Sequence, residues 1–506
     1  MAFSDTLLSS SSSSKLRVVV VDKHATPGGQ WHDSYGFVRL HQPSFGYGVE
    51  SRHLEPPGVD VPGETAPEDL HRATREEILA YYGAVAGDLS ANHDFSFWGN
   101  HTLDLSQLGT TGGADGAGEY GVTDGVTGTT RTVRVRRRVV DARNLEPDLP
   151  VSTPPRFGCA PNIDIRPVND LATDPALAAG TTTKTRFVVV GGGKTGMDAV
   201  HHLLEDRKTD PQNLLWIVPN HAWITAREKI GNCVDLLYTA AKIHENEQVV
   251  DDEDEKKDSA AAASSSSPLS PIGPDFFQKA FLRWEQEGHV YRLDPGVVPT
   301  KFKDATLCRA ELEVLKRAVP SRTVQRGRVS SVTDTGALVF ADGSTMELPG
   351  GYTPETTLFL HCSAGAFHFT KSNRSPPPVF SPGKITVQDV YGTPGFCFVG
   401  SLIGKLESLS SLDDSERNAM ALRPVPGPPP KPGEAVSGGD VLGPVTEDHG
   451  FVQRAQNLSA WLTTTPELRD WVLENRLFHL VGADPSDLSD RLGEIFRILR
   501  RSGLSV

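Results

Sequence analysis

Runs of consecutive apolar residues alternate with helix-spaced ones along much of this chain, in the rhythm of strand, turn and helix. The sharpest case is Phe187-Val188-Val189-Val190, followed at once by Gly191-Gly192-Gly193-Lys194-Thr195-Gly196 and then by Met197-Asp198-Ala199-Val200-His201-His202-Leu203-Leu204. A further apolar run, Leu214-Leu215-Trp216-Ile217-Val218, closes the unit. The pattern predicts a buried strand, a GxGxxG turn, an amphipathic helix and a second strand, which together form a dinucleotide-binding βαβ unit. In such a loop Gly191 makes the tight turn, Gly193 lets backbone N–H groups approach a pyrophosphate, and Gly196 lets helix pack on strand. Lys194 and Thr195 complete the loop at the positive end of the helix.

The end of the second strand bears on which nucleotide is bound. An acidic residue there would accept hydrogen bonds from the adenine ribose and favour NAD. Here Pro219-Asn220-His221-Ala222-Trp223 follows, with Arg227 a few residues on and no Asp or Glu until Glu228. A neutral-to-basic rim suits a 2′-phosphate, so NADPH is expected with Arg227 as a candidate contact. The alternative for Arg227 is a solvated surface charge.

At the start of the chain, apolar positions in Met1–Leu8 suit a helix face, Ser9–Ser14 a loop, and Leu16–Val21 a strand ending on Asp22. That is the second half of another βαβ unit, with its first strand and glycine loop absent. The expectation is therefore about a dozen further residues upstream, with a misassigned start preferred over a damaged protein. Thr74-Arg75-Glu76-Glu77 is a capping box opening a helix to about Leu89. Residues 95–145 read as an antiparallel meander with Gly/Thr turns at Gly109–Gly128. Val329–Leu348 reads as a hairpin turning at Asp342-Gly343, and Leu358–Gly365 as a buried strand running into small residues.

The expected organisation is α/β, with two Rossmann-like dinucleotide-binding domains, the second inserted in the first, plus a helical C-terminal region. Residues 1–180 form the first part of one domain and 351–423 its second part. Residues 181–350 form the inserted domain, including helices at Val234–Ile243 and Phe276–Glu287 and a disordered acidic, Ala/Ser-rich insert at 251–273. A Pro/Gly-rich linker at 424–444 leads to helices in 445–506.

With 506 residues the chain needs two or three domains. A net charge of −14 argues against a nucleic-acid partner, and the basic stretch Arg131–Arg138 alternates with Val133 and Val135 as a strand with one solvated face. No run approaches the ~20 apolar residues of a membrane span, and no signal peptide is read. The five cysteines form no CxxC pair, which removes a redox disulfide and a zinc knuckle; no metal is expected, and a reducing, cytoplasmic compartment fits.

Val18-Val19-Val20-Val21-Asp22, then Pro27-Gly28-Gly29-Gln30-Trp31, then Phe37-Val38-Arg39-Leu40-His41-Gln42-Pro43-Ser44 resemble the strand-acid, GGxW and RLHxP signatures of monooxygenase-like flavoproteins with two dinucleotide-binding domains. The central GGGKTG matches their second nucleotide loop, and Asp141-Ala142 and Cys362-Ser363-Ala364 stand where such proteins cross between domains. The resemblance covers residues 1–405. It implies FAD and NADPH as cofactors, with Asp22 on the FAD ribose, Gly28 and Gly29 beside the pyrophosphate or ribityl chain, and Trp31, Arg39 and His41 near the flavin. Arg39 or His41 would hold NADP⁺ or stabilise the flavin during catalysis. Each also has a plainer reading: a strand terminator for Asp22, a core residue for Trp31, a loop's own bonding for Arg39 and His41.

The resemblance thus implies an oxidoreductase in which NADPH reduces the flavin, and the reduced flavin and O2 oxygenate a small organic substrate. The FxGxxxHxxx signature of N-hydroxylating and Baeyer–Villiger-type members is absent. Two alternatives stay open: a flavin-dependent dehydrogenase or oxidase without oxygen insertion, and a non-catalytic NADP(H)-binding protein that has lost FAD. The low-complexity inserts suggest a eukaryotic tailoring enzyme of secondary metabolism.

Overall fold

The computed structural model describes residues 1–10, 16–58, 70–106, 117–143, 147–230, 233–255, 268–273, 275–318, 323–324, 327–364, 377–391, 396–422, 450–478, 487–504 and 506. At its centre lies a five-stranded sheet in the order Thr323–Val324, Leu214–Ile217, Arg186–Val190, Thr357–His361, Ile165–Pro167. Every pairing in it is parallel, and Val190 stands level with both Ile217 and His361. The three middle strands are apolar without alternation because both faces are covered. Phe187 and Val189 face a core shared with Met197, Val200, Leu312 and Leu315 of the Lys194–His201 and Arg309–Lys316 helices. Val188 and Val190 point the other way, onto Val329, Val332, Leu338 and Phe340. Alternation of side chains along a strand thus fixes a three-layer unit of helices, parallel sheet and antiparallel sheet.

The expected strand Arg17–Val21 forms, and Arg75–Asn92 is a helix whose Thr74 and Glu77 make the capping box. Asp94–Trp98 is a correction. It pairs in parallel with Arg17–Val21, Val21 level with Trp98, so the two form a two-stranded parallel sheet of their own and Asp94–Trp98 does not open the meander. The antiparallel meander is His101–Leu103, Gly118–Asp124 and Thr130–Val135; residues 107–116 of the glycine-rich turn lie outside the described residues. The helix Ala2–Ser10 packs along Phe396–Ser408.

Two further expectations change. Residues 251–255 of the acidic insert belong to the helix Cys233–Glu255; Leu269 N–H, still within the insert, donates to the Arg501 carbonyl at 2.9 Å. The stretch 256–267 and the linker 424–444 lie outside the described residues. The helices Cys233–Glu255 and Phe276–Glu287 share one core with Gly450–Thr463 and Leu488–Arg501, through Leu237, Ala241, Phe277, Phe281, Leu458 and Ile495. The same core takes in Trp223 and Val290 of the inserted region, with Trp223 stacked on Phe281 at 5.5 Å between centroids, so the two helices pack against both that region and the C-terminal helices. The Val329–Leu348 stretch is three strands, Val329–Val332, Leu338–Phe340 and Thr345–Met346, with Gly343 at the second turn. Among the described residues no helix is long and apolar enough to cross a membrane.

Candidate functional site

The carboxyl ends of the three middle strands converge on the glycine loop, where a doubly wound sheet places its ligand. Gly191 has φ +138°, and a Cβ there would lie 2.5 Å from the Cys362 carbonyl oxygen. A Cβ on Gly196 would lie 2.0 Å from the Gly191 oxygen, which also accepts a hydrogen bond from Trp216 Nε1 at 2.9 Å. Both glycines are thus needed by the fold. Gly193 differs: its backbone is extended and nothing lies within 4 Å of a Cβ built there. It caps the Lys194–His201 helix without a side-chain hydrogen bond, with open space beside its Cα. An uncapped helix start with a bare Cα in front of it fits a pyrophosphate.

Lys194 is the first residue of that helix. Its ammonium pairs with Asp198 one turn along the helix and its side chain is 9% exposed. Asp198 Oδ2 also accepts from the Tyr35 hydroxyl at 2.7 Å. Burial, then Asp198, push the Tyr35 hydroxyl well above its ordinary range. Burial and Asp198 push up the Cys362 thiol in the same way, which leaves it an inert packing group.

Arg227 is not at the rim. It lies inside the protein, paired with Glu311 Oε2 at 2.8 Å, and donates from Nε to the His41 carbonyl at 2.8 Å. Glu311 Oε1 accepts from Arg72 at 2.9 Å, and Oε2 accepts from the Cys308 N–H at 2.9 Å. Both earlier readings of Arg227, a phosphate contact and a solvated charge, are corrected. A guanidinium placed after the buried strand Ala222–Ala226 must meet a carboxylate inside, because an unpaired buried charge is too costly. Burial works to raise the Glu311 carboxyl, yet Arg227, Lys194 and Arg72 outweigh it and hold the group well below the usual range. Glu228, the first acid after the strand, accepts from Arg309 N–H at 2.7 Å and from Tyr291 at 2.9 Å.

His41 borders this cluster. Burial, then the positive Lys194 and Arg227, lower its imidazole to about 3, against the opposing pull of Asp198 and Glu311. It is neutral at physiological pH. Arg39 goes elsewhere: Val38 and Leu40 face the core, so Arg39 is exposed and its guanidinium donates to the Arg72 carbonyl at 3.2 Å. The structure therefore separates the two candidate catalytic residues and removes Arg39 from the junction that His41 occupies.

At the N-terminal strand, Asp22 ends its strand with Oδ1 accepting from the His24 backbone N–H at 2.8 Å and facing His24 Nδ1 at 3.0 Å. Its side chain is 29% exposed, and both bonds fall on Oδ1, so Oδ2 suits a ribose hydroxyl. Gly29 has nothing within 4 Å of a Cβ, which suits a cofactor chain passing close. Gly28 is a packing glycine, the space of its Cβ being taken by Leu79 at 2.4 Å. Trp31 is a core residue whose Nε1 donates to the Tyr47 hydroxyl at 2.8 Å.

Asp198, Tyr35, Glu311 and Arg72 were missed by the sequence reading. Only Asp198 carried a local signal, four residues after Lys194 on one helix face.

No family model matches the chain. It is 31% identical over 487 residues to an uncharacterized protein of Mycobacterium tuberculosis, covering 94% of this chain and 75% of that one, and equally so to a protein of Mycobacterium bovis. The chain belongs to the family of these mycobacterial proteins. Among solved structures it is similar to an ornithine N-hydroxylase of Kutzneria sp. 744, at 13% identity and TM-score 0.44, covering 81% of this chain and 95% of that one. A polycyclic ketone monooxygenase of Thermothelomyces thermophila is similar at 12% identity and TM-score 0.44, covering 99% and 83%.

Proposed function

We propose that the chain is an FAD- and NADPH-dependent oxidoreductase, a cytoplasmic monooxygenase acting on a small organic substrate in secondary metabolism. The observation that carries the reading is the uncapped Gly193 helix start, facing open space at the carboxyl ends of three buried parallel strands. Gly193, Thr195 and the first-turn N–H groups would hold the NADPH pyrophosphate, with Gly191 and Gly196 shaping the turn. With no acid in Val218–His221, nothing on that strand end opposes a 2′-phosphate. Asp22 would hold the FAD ribose, and Gly29 would let the cofactor chain pass. FAD, when bound, supplies hydride acceptance and reaction with O2. His41, kept neutral, can donate or accept a hydrogen bond at this junction without bringing a charge.

The test is purification with FAD, followed by NADPH oxidation in the presence of candidate amines and ketones under ¹⁸O2. Incorporation of one labelled oxygen into product supports a monooxygenase. NADPH consumption with no labelled product would reduce the reading to a dehydrogenase or oxidase, and an unaltered flavin spectrum with NADPH would remove the enzyme reading.

A further inference from the structure

The segment Tyr35–His41 is gripped by the nucleotide unit at three of its residues. The Tyr35 hydroxyl donates to Asp198 Oδ2 at 2.7 Å. The Phe37 ring stacks on His202, centroids 3.9 Å apart and planes 5° from parallel. The His41 carbonyl accepts from Arg227 Nε at 2.8 Å. Asp198 and His202 are four residues apart and so share one helix face. At His202 the helix passes into a wider π turn, His202–Asp206, a distortion found most often where a helix serves a function. Arg39, between these contacts, points outward and bonds to the Arg72 carbonyl.

Asp198 has a second partner. Its Oδ1 pairs with Lys194, which stands inside the glycine loop. One carboxylate is therefore shared between the loop that would meet a pyrophosphate and the tyrosine that anchors the segment preceding His41.

We infer that Tyr35 and Phe37 are positioning residues that clasp the Tyr35–His41 segment onto the nucleotide helix, and that Lys194–Asp198–Tyr35 transmits occupancy of the glycine loop to that segment. The second half of this statement rests on the loop's being a nucleotide site; the clasp itself does not. When an anion occupies the loop, the Lys194 ammonium gains a competing partner and Asp198 is left to Tyr35. A hydrogen bond to a full carboxylate charge is stronger than one to a carboxylate already shared with a cation. The segment is then held more tightly at the moment that hydride transfer would need it in place.

Backbone hydrogen–deuterium exchange of the full chain, with and without NADPH as the probe, tests both halves. Without nucleotide, Tyr35→Phe keeps the ring and loses the hydroxyl that bonds Asp198 and Thr195, so amides of residues 36–41 should exchange about tenfold faster, with the 118–135 meander unchanged. Equal exchange there in the two proteins overturns the clasp. With NADPH, protection of residues 36–41 should rise in the unmodified chain and stay flat in Tyr35→Phe, although the 191–197 loop is protected in both. Equal protection of 36–41 in both overturns the transmission. Asp198→Asn retains an acceptor for Tyr35 without the charge that holds Lys194. Measured against its own nucleotide-free rate, it should lose the NADPH response of residues 36–41, and retention of that response overturns the relay. Should NADPH protect neither region of the unmodified chain, the nucleotide reading and the transmission fall together, while the nucleotide-free comparison still decides the clasp.

Discussion

Arg227 meets Glu311 at 2.8 Å with its side chain 2% exposed, and the same carboxylate holds Arg72. This pair joins the Arg309–Lys316 helix to the His41 backbone, and it makes Arg227 a structural cation. Glu311→Ala would leave two guanidinium groups without their carboxylate, one of them fully enclosed. We expect a loss of about 3–5 kcal/mol in denaturant unfolding. A change within about 0.5 kcal/mol would show that water reaches the pair.

The strand end, with no acid in Val218–His221, sets the expectation for nucleotide choice. The unmodified protein should prefer NADPH over NADH by about tenfold or more, equivalent to ~1.4 kcal/mol. Arg227→Lys should lower the melting temperature and leave that ratio unchanged, because the guanidinium faces Glu311 and the His41 carbonyl and not the strand end. A ratio of kcat/KM values that collapses toward unity in this variant would restore Arg227 as a phosphate contact.

The glycines of one loop should respond differently. Gly196→Ala places a methyl against the Gly191 oxygen, and a loss of more than about 2 kcal/mol in stability is expected. Gly193→Asp has room for its side chain and should fold with a melting temperature within a few degrees of normal. Its carboxylate would occupy the anion position, so NADPH affinity should fall at least about tenfold. Calorimetry and thermal unfolding on the two variants separate these outcomes, and normal NADPH binding by Gly193→Asp would count against the loop as the nucleotide site.

Acid should weaken the protein in two overlapping windows. His41 is about 3 when folded and about 6.5 when unfolded, so the unfolded chain takes up a proton first as pH falls. Its contribution is present above about pH 6.5 and is lost toward pH 3, on the order of a few kcal/mol. Glu311 is likewise depressed, so its contribution is present above about pH 4.5 and declines below that. His41→Phe should flatten the upper window alone in a series of denaturant titrations from pH 8 to 4. An unaltered slope between pH 6.5 and 5 would place His41 in solvent.

The local grammar of this chain was legible in one dimension. Phe187–Val190, Gly191–Gly196, Leu214–Val218 and the Thr74–Glu77 box formed the elements expected of them, because strand burial, turn sterics and helix capping depend on neighbours in sequence. Strand pairing was not legible in the same way. Asp94–Trp98 has the alternation of a meander strand, and only its partner Arg17–Val21, more than 70 residues away, makes it parallel. The site divides along the same line. Which glycines the loop needs followed from the spacing, but which charges are paired inside the protein was decided in three dimensions. Lys194 and Arg227 look like ligand contacts in sequence. In the folded chain Asp198 and Glu311 claim them, because a cation enclosed by packing is stable only beside a carboxylate, and the chain positions of those carboxylates are set by helix periodicity in one case and by tertiary folding in the other.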